Sequence, residues 1–183
     1  MPKKVLVIDT SILCVWLGVP YKDTCIVANE IWDQQRVETL IKQEEAKGTT
    51  LVLPLATLIE TGNHIAQVKK PYTEKRYSLA QALAKYMIKA VDEESPWAAF
   101  TEQSILWETE ALKELAQEWP SLAAQADVKK DKGGLSIGDA TIKRVADYYA
   151  KMGNEVEILT GDEGLKAYQP ASSPKPPRRR KKK

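Results

Sequence analysis

The chain has 183 residues, 43 % of them apolar and 28 % charged, with a formal net charge of +2. That length supports one domain with a core and not two comfortable ones, and the apolar share excludes a chain dominated by disorder. Two cysteines, Cys14 and Cys25, with no Cys-x-x-Cys pair, exclude a disulfide framework and a zinc ribbon, so the expected setting is reduced and cytoplasmic.

The chain opens on Lys3 and Lys4, and Asp9 interrupts the apolar stretch behind them, so no secretory signal is expected. Lys4-Val5-Leu6-Val7-Ile8 is β-branched and without polar alternation, which predicts a strand buried on both faces. The longest apolar run, Ile12 to Val19, is eight residues with Gly18 inside it. A membrane helix needs roughly 20, and no membrane partner is expected. From Cys25 to Lys47 the residues Ile31, Val37, Leu40 and Ile41 fall at helical spacing, with Gly48 as the stop. Thr50-Leu51-Val52-Leu53-Pro54 predicts a second buried strand, and a helix follows at about Thr57 to Val68.

Tyr77 to Trp119 reads as helical throughout, broken at Ser95-Pro96. Asp127 to Gly134 reads as a loop, with a further short strand near Ala126-Asp127-Val128. Asp139 to Met152 predicts an amphipathic helix stopped by Gly153, Glu155 to Thr160 a strand, and a short helix runs through Leu165. Past Tyr168 the prolines preclude regular structure, so residues 169–183 read as a disordered, Pro-rich basic tail. From Lys175 to Lys183 there are seven cations and no acid. Taking those seven from +2 leaves −5, an acidic body with a cationic arm suited to phosphates. Strands alternating with helices predict an α/β fold around a mostly parallel sheet, whose ligand site lies at the carboxyl ends of the strands.

Four acids map to those ends. Asp9 closes the first strand, Glu60 follows the second, Asp162 follows the last, and Asp139 opens a helix. Capping offers each of the later three a structural role: Thr57-x-x-Glu60 and Ser136-x-x-Asp139 match the capping box, and Asp162 can cap the final helix. Asp9 is hardest to explain that way, since it follows an apolar strand with no base nearby in sequence. Carboxylates brought together repel, and the usual remedy is a hard divalent cation, Mg²⁺ or Mn²⁺. A pair of such ions can hydrolyse a phosphodiester.

In order and local context, Val7-Ile8-Asp9-Thr10-Ser11, Leu58-Ile59-Glu60, Leu135-Ser136-Ile137-Gly138-Asp139-Ala140 and Ile158-Leu159-Thr160-Gly161-Asp162 resemble the PIN-domain ribonuclease pattern. The resemblance spans roughly Val5 to Tyr168. It implies a three-layer α/β/α nuclease domain over 1–168, and a two-metal mechanism cutting RNA within single-stranded or loop regions. Asp9, Glu60 and Asp139 would be the core metal ligands, with Asp162 completing the site, through a water. Thr10 or Ser11 would hydrogen-bond the cluster or a phosphate, and Thr160 would help to place the attacking water. VapC-like toxins of toxin–antitoxin pairs belong to this family. Here, however, Glu60 and Asp139 stand 79 positions apart, longer than compact toxins have. The extra length falls in an enlarged helical segment at about 77–120, with Trp97, Trp107 and Trp119. That segment could face an antitoxin, another protein or a second copy in a homodimer, or its tryptophans could simply fill a helical core.

Other candidates are weaker. His64, the lone histidine, and Asn63 sit one turn after Glu60. Lys143 and Arg144 sit one turn after Asp139 and could meet a scissile phosphate or line a solvated helix face. Gly133-Gly134 lacks the Gly-Lys-Ser/Thr of a phosphate loop. Besides the nuclease, two readings remain: a catalytically inactive PIN-like module binding RNA or protein, and a small-molecule metal phosphoesterase.

Overall fold

The computed structural model of the protein describes residues 2–125 and 134–171. The expected strand at Ala126–Val128, most of the loop after it and the basic arm lie outside the described residues.

The core is a three-stranded parallel sheet in the order β4-β1-β5. Strand β1 (Lys4–Ile8) lies between β4 (Thr50–Val52) and β5 (Glu155–Leu159). Val7 is in register with Val52 on one side and Ile158 on the other. Strand pleating sends alternate residues to opposite faces. Val5 and Val7 join one apolar cluster with Leu115, Ile142 and Val145, whereas Leu6 and Ile8 join another with Ile12, Leu13, Val37 and Ile41. Helices therefore cover both faces, which is why β1 carries no polar alternation. Each fully buried Val, Leu or Ile contributes about 1.5–3 kcal/mol to this arrangement.

The Ile12–Val19 apolar run belongs to helix α1 (Thr10–Leu17), capped by Asp9 and stopped by Gly18 at φ 68°. Its residues Ile12 to Trp16 are all buried. The Cys25–Lys47 segment differs from the helix expected over its whole length. It begins as a hairpin of β2 (Cys25–Val27) and β3 (Glu30–Trp32), turned at Ala28 and Asn29, both with positive φ. Only Gln34–Ala46, α2, is helical, started by the Asp33 side chain accepting from Arg36 N at 2.9 Å. The alternation of Cys25, Val27 and Trp32, which turn inward, is a period-2 signal.

Helix α3 (Leu55–Ala66) starts directly after Pro54. Thr57 is therefore inside it, and its hydroxyl donates to Ile8 O at 2.9 Å, so the capping box expected with Glu60 does not form. The long helical segment resolves into α4 (Lys75–Val91), a 3-10 segment (Phe100–Trp107) and α5 (Thr109–Ala124). Between the first two, Pro96 to Ala98 runs along the outer edge of β4: Leu51 N donates to Pro96 O, and Ala98 N to Leu51 O, at 2.9 and 2.8 Å. Trp97 is buried there against Trp16 and Tyr86, and Trp119 Nε1 donates to Leu135 O at 3.1 Å. These two tryptophans fill the interior.

Helix α6 (Ile137–Lys151) begins with the expected capping box, both halves formed between Ser136 and Asp139. The short α7 (Glu163–Lys166) is capped by Asp162. Among the described residues no helix is long and apolar enough to cross a membrane.

Candidate functional site

Because the three strands are parallel, their carboxyl ends open on one edge, and the chain leaving each end delivers an acid there. A cavity of about 330 Å³ at this edge is lined by Asp9, Glu60, Asp139 and Asp162. Thr10, Ser11 and His64 share its wall. Four acids distant in sequence are thus gathered by β1, α3, α6 and the β5–α7 turn.

Each carboxylate is held by one oxygen. Asp9 Oδ2 accepts from the hydroxyls of Ser11 and Thr160, both at 2.7 Å, and from Ser11 N at 3.3 Å. Glu60 Oε2 accepts from Thr10 Oγ1 at 2.9 Å. Asp139 Oδ2 accepts from Ser136 Oγ at 2.8 Å, and Asp162 Oδ1 from Gly164 N at 2.7 Å. Among the described residues, no hydrogen bond engages the second oxygen of any of the four. Asp9 is 4 % exposed, so its charge is almost wholly removed from water. Such burial is costly without a partner, and no cation pairs with Asp9 among the described residues.

The hydroxyls make a further layer. Thr160 Oγ1 donates to Asp9 and accepts from Asp162 N at 2.9 Å, and Ser11 Oγ accepts from Gly161 N at 2.9 Å. The strand ends of β1 and β5 are therefore tied together through side chains as well as through the sheet. The Glu60 carboxylate lies against Gly138, where an added Cβ would overlap Oε1 and displace it. The bare glycine lets α6 approach α3 closely enough to bring Asp139 beside Glu60.

The electrostatics follow. Burial pushes the Asp139 carboxyl above its ordinary value. The Ser136 hydrogen bond opposes this, and the charges of Asp9, Asp162 and Glu60 add to it. The His64 imidazole is lowered, first by burial and then by Lys22, with Glu60 working the other way.

Lys143 and Arg144 do not reach this cavity. Lys143 pairs with Glu118 and Asp147, both at 2.9 Å, and Arg144 with Glu114 at 2.8 Å. They line a larger cavity, about 600 Å³, between α5 and α6. Their charges are already matched by those acids, so the smaller cavity, with its unmatched charge, is the chemical candidate. Asn63 is exposed and outside the cavity lining. The wall also includes Cys14, Lys22, Thr24 and Cys25, which sequence reasoning did not select. The first lies one helical turn beyond Thr10. The others depend on the turn after α1 and on the hairpin, where spacing along the chain carries little signal.

Among the described residues, no three His, Cys, Asp or Glu side chains stand close enough to enclose a metal ion by themselves. What the acids offer instead is four carboxylates on one cavity wall, each with one oxygen outside any hydrogen bond among the described residues. Carboxylate oxygens are the donor class that hard divalent cations take, usually with several waters retained. Comparison with protein-family models, curated proteins and solved structures finds no match to this chain.

Proposed function

We propose that this chain is a PIN-type endoribonuclease, dependent on Mg²⁺ or Mn²⁺, that hydrolyses RNA phosphodiesters. The observation that carries this reading is the gathering of Asp9, Glu60, Asp139 and Asp162 around one cavity, each with one oxygen fixed and one unengaged. The PIN-like order of these acids along the chain supports it. The cationic run from Lys175 to Lys183 supports a polyanionic substrate over a small molecule.

Asp9, Glu60, Asp139 and Asp162 would hold the cation, which when bound supplies an activated water and stabilisation of the departing oxygen. The protein's own part is orientation. Ser11 and Thr160 fix the plane of Asp9, Thr10 fixes Glu60, and Ser136 fixes Asp139. Pre-set carboxylates lose less order on loading, and misplacement by about 1 Å can cost 100-fold in rate. Within this reading the chain works in the cytoplasm, and an adjacent antitoxin gene would mark it as a VapC-like toxin.

The openness of the acid group favours one competing reading, a PIN-like module that binds RNA or protein without cutting. Cleavage of a mixed-structure RNA by pure protein in manganese, magnesium or chelator, beside Asp9→Asn and Asp139→Asn, decides between them. Metal-dependent cutting abolished in both variants is the expected result. RNA binding without cutting, and without manganese uptake in calorimetry, would transfer the assignment to the binding module.

A further inference from the structure

Among the described residues lining the carboxylate cavity, four are acids and one, Lys22, is a lysine. Lys22 is exposed, and among the described residues no carboxylate pairs with it. This contrasts with Lys143 and Arg144, whose ion pairs turn them toward α5.

The position of Lys22 is built. Gly18 ends α1 in the left-handed conformation, and Val19 N returns to Cys14 O at 3.0 Å. Val19 and Pro20 are buried. Tyr21 takes φ 65°, with its ring edge-on to Tyr72 at 5.8 Å. Lys22 N then closes the turn on Val19 O at 2.9 Å. A left-handed tyrosine is a strained choice, and here it turns the chain so that the next residue reaches the cavity. The charge of Lys22 is felt inside. It lowers the His64 imidazole in the same direction as burial. On Cys14, burial dominates and holds the thiol up at about 11, with the Lys22 charge acting the other way.

We propose that Lys22 is the phosphate-binding residue of this site, its ammonium meeting a non-bridging oxygen of the RNA strand opposite the four carboxylates. The proposal rests on the nuclease reading. An acid-lined cavity repels a polyanion until cations enter it, and a lysine on the rim gives the phosphate an attractive point of entry. Lysine suits the task as a compact point charge on a flexible stem.

The test uses the full chain with Lys22→Gln, Lys22→Arg and Lys22→Glu. Binding of a fluorescent single-stranded RNA is followed across a salt series with calcium present, beside steady-state cleavage in manganese and manganese calorimetry. For Lys22→Gln the slope of log K against log salt should become shallower by about 0.7, the loss of one phosphate contact on a single strand. KM should rise roughly tenfold with kcat held, as for a charged hydrogen bond made equally in ground and transition states. Manganese uptake should be unchanged or tighter, Lys22→Arg should restore binding, and Lys22→Glu should bind worst. An unchanged salt slope and KM in Lys22→Gln would overturn the proposal. So would a drop in melting temperature in chelator with binding intact, because Lys22 would then only offset repulsion among the acids. Failure of the nuclease reading is seen separately, as absent cutting and absent manganese uptake in the unaltered protein.

Discussion

The hydroxyl of Thr160 donates to Asp9 Oδ2 at 2.7 Å although the two residues stand 151 positions apart. Thr160 Oγ1 itself accepts from Asp162 N, so one threonine fixes an acid at each of two strand ends. Thr160→Val keeps the volume and removes both bonds. Urea unfolding should read a loss of about 1–3 kcal/mol, the cost of leaving buried polar groups unmatched. Manganese affinity should fall about 10–100-fold, as when a partner that orients a ligand is lost, and Thr160→Ser should recover most of it. Unchanged manganese affinity in the valine variant would separate this hydroxyl from the function.

Gly138→Ala should have opposite effects on fold and site. Within a helix alanine is favoured over glycine by about 1 kcal/mol, so α6 itself should not weaken. The added methyl displaces Glu60 from its place over Gly138. Melting temperature held, with manganese uptake and cleavage lost, is the expected pair of results. Full activity would mean that Glu60 does not act from this position.

The raised Asp139 carboxyl sets a pH dependence. An acid with a higher pKa in the fold than in the unfolded chain binds more protons when folded over the interval between the two values. Metal-free stability from this residue is therefore full below the unfolded value and is lost as pH rises through the folded one. Asp139→Asn should flatten that dependence in chelator. Manganese competes for the same oxygens, so its uptake should weaken as pH falls and release protons. Identical pH profiles for the two proteins in chelator would contradict a carboxyl raised by burial and, after it, by the neighbouring acids.

Lys143→Ala should act on stability and not on the site. Its ammonium bridges Glu118 on α5 and Asp147 on α6, and the side chain is 16 % exposed. The expected loss is about 1 kcal/mol, the upper end of the range for exposed pairs, because the lysine is screened less by solvent. Cleavage per folded molecule should be unaltered. A selective loss of turnover would return Lys143 to the substrate path.

Strand β1 and the four acids were legible in the sequence because each is a local pattern. An unbroken apolar pentapeptide predicts a doubly buried strand, and parallel strands put the following acids on one edge. The capping box at Ser136 and Asp139 is likewise local, and it forms. At Thr57 the same pattern misleads: Pro54 allows α3 to start earlier, and the hydroxyl turns to Ile8 O instead. The β2–β3 hairpin was lost for a different reason. Its strands are three residues each, too short for alternation to outweigh the helical spacing that begins at Val37. The partners of Lys143 and Arg144 lie 25 and 30 positions away, so nothing beside them in sequence announces that they are taken. Lys22 is hidden in the same way, because its place depends on a turn and on a tyrosine contact across the fold.

The segment Pro96–Ala98, laid along β4, also bears on how copies of this chain can meet. It hydrogen-bonds both main-chain groups of Leu51. On the opposite margin, Ile158 N is taken by Gln169 Oε1 at 3.0 Å and Ile158 O by Lys166 Nζ at 2.7 Å. Unpaired strand margins are where sheets recruit foreign strands. Here the middle of each margin is already occupied, one by backbone and the other by side chains. Strand addition to the three-stranded sheet is thereby obstructed at Leu51 and at Ile158.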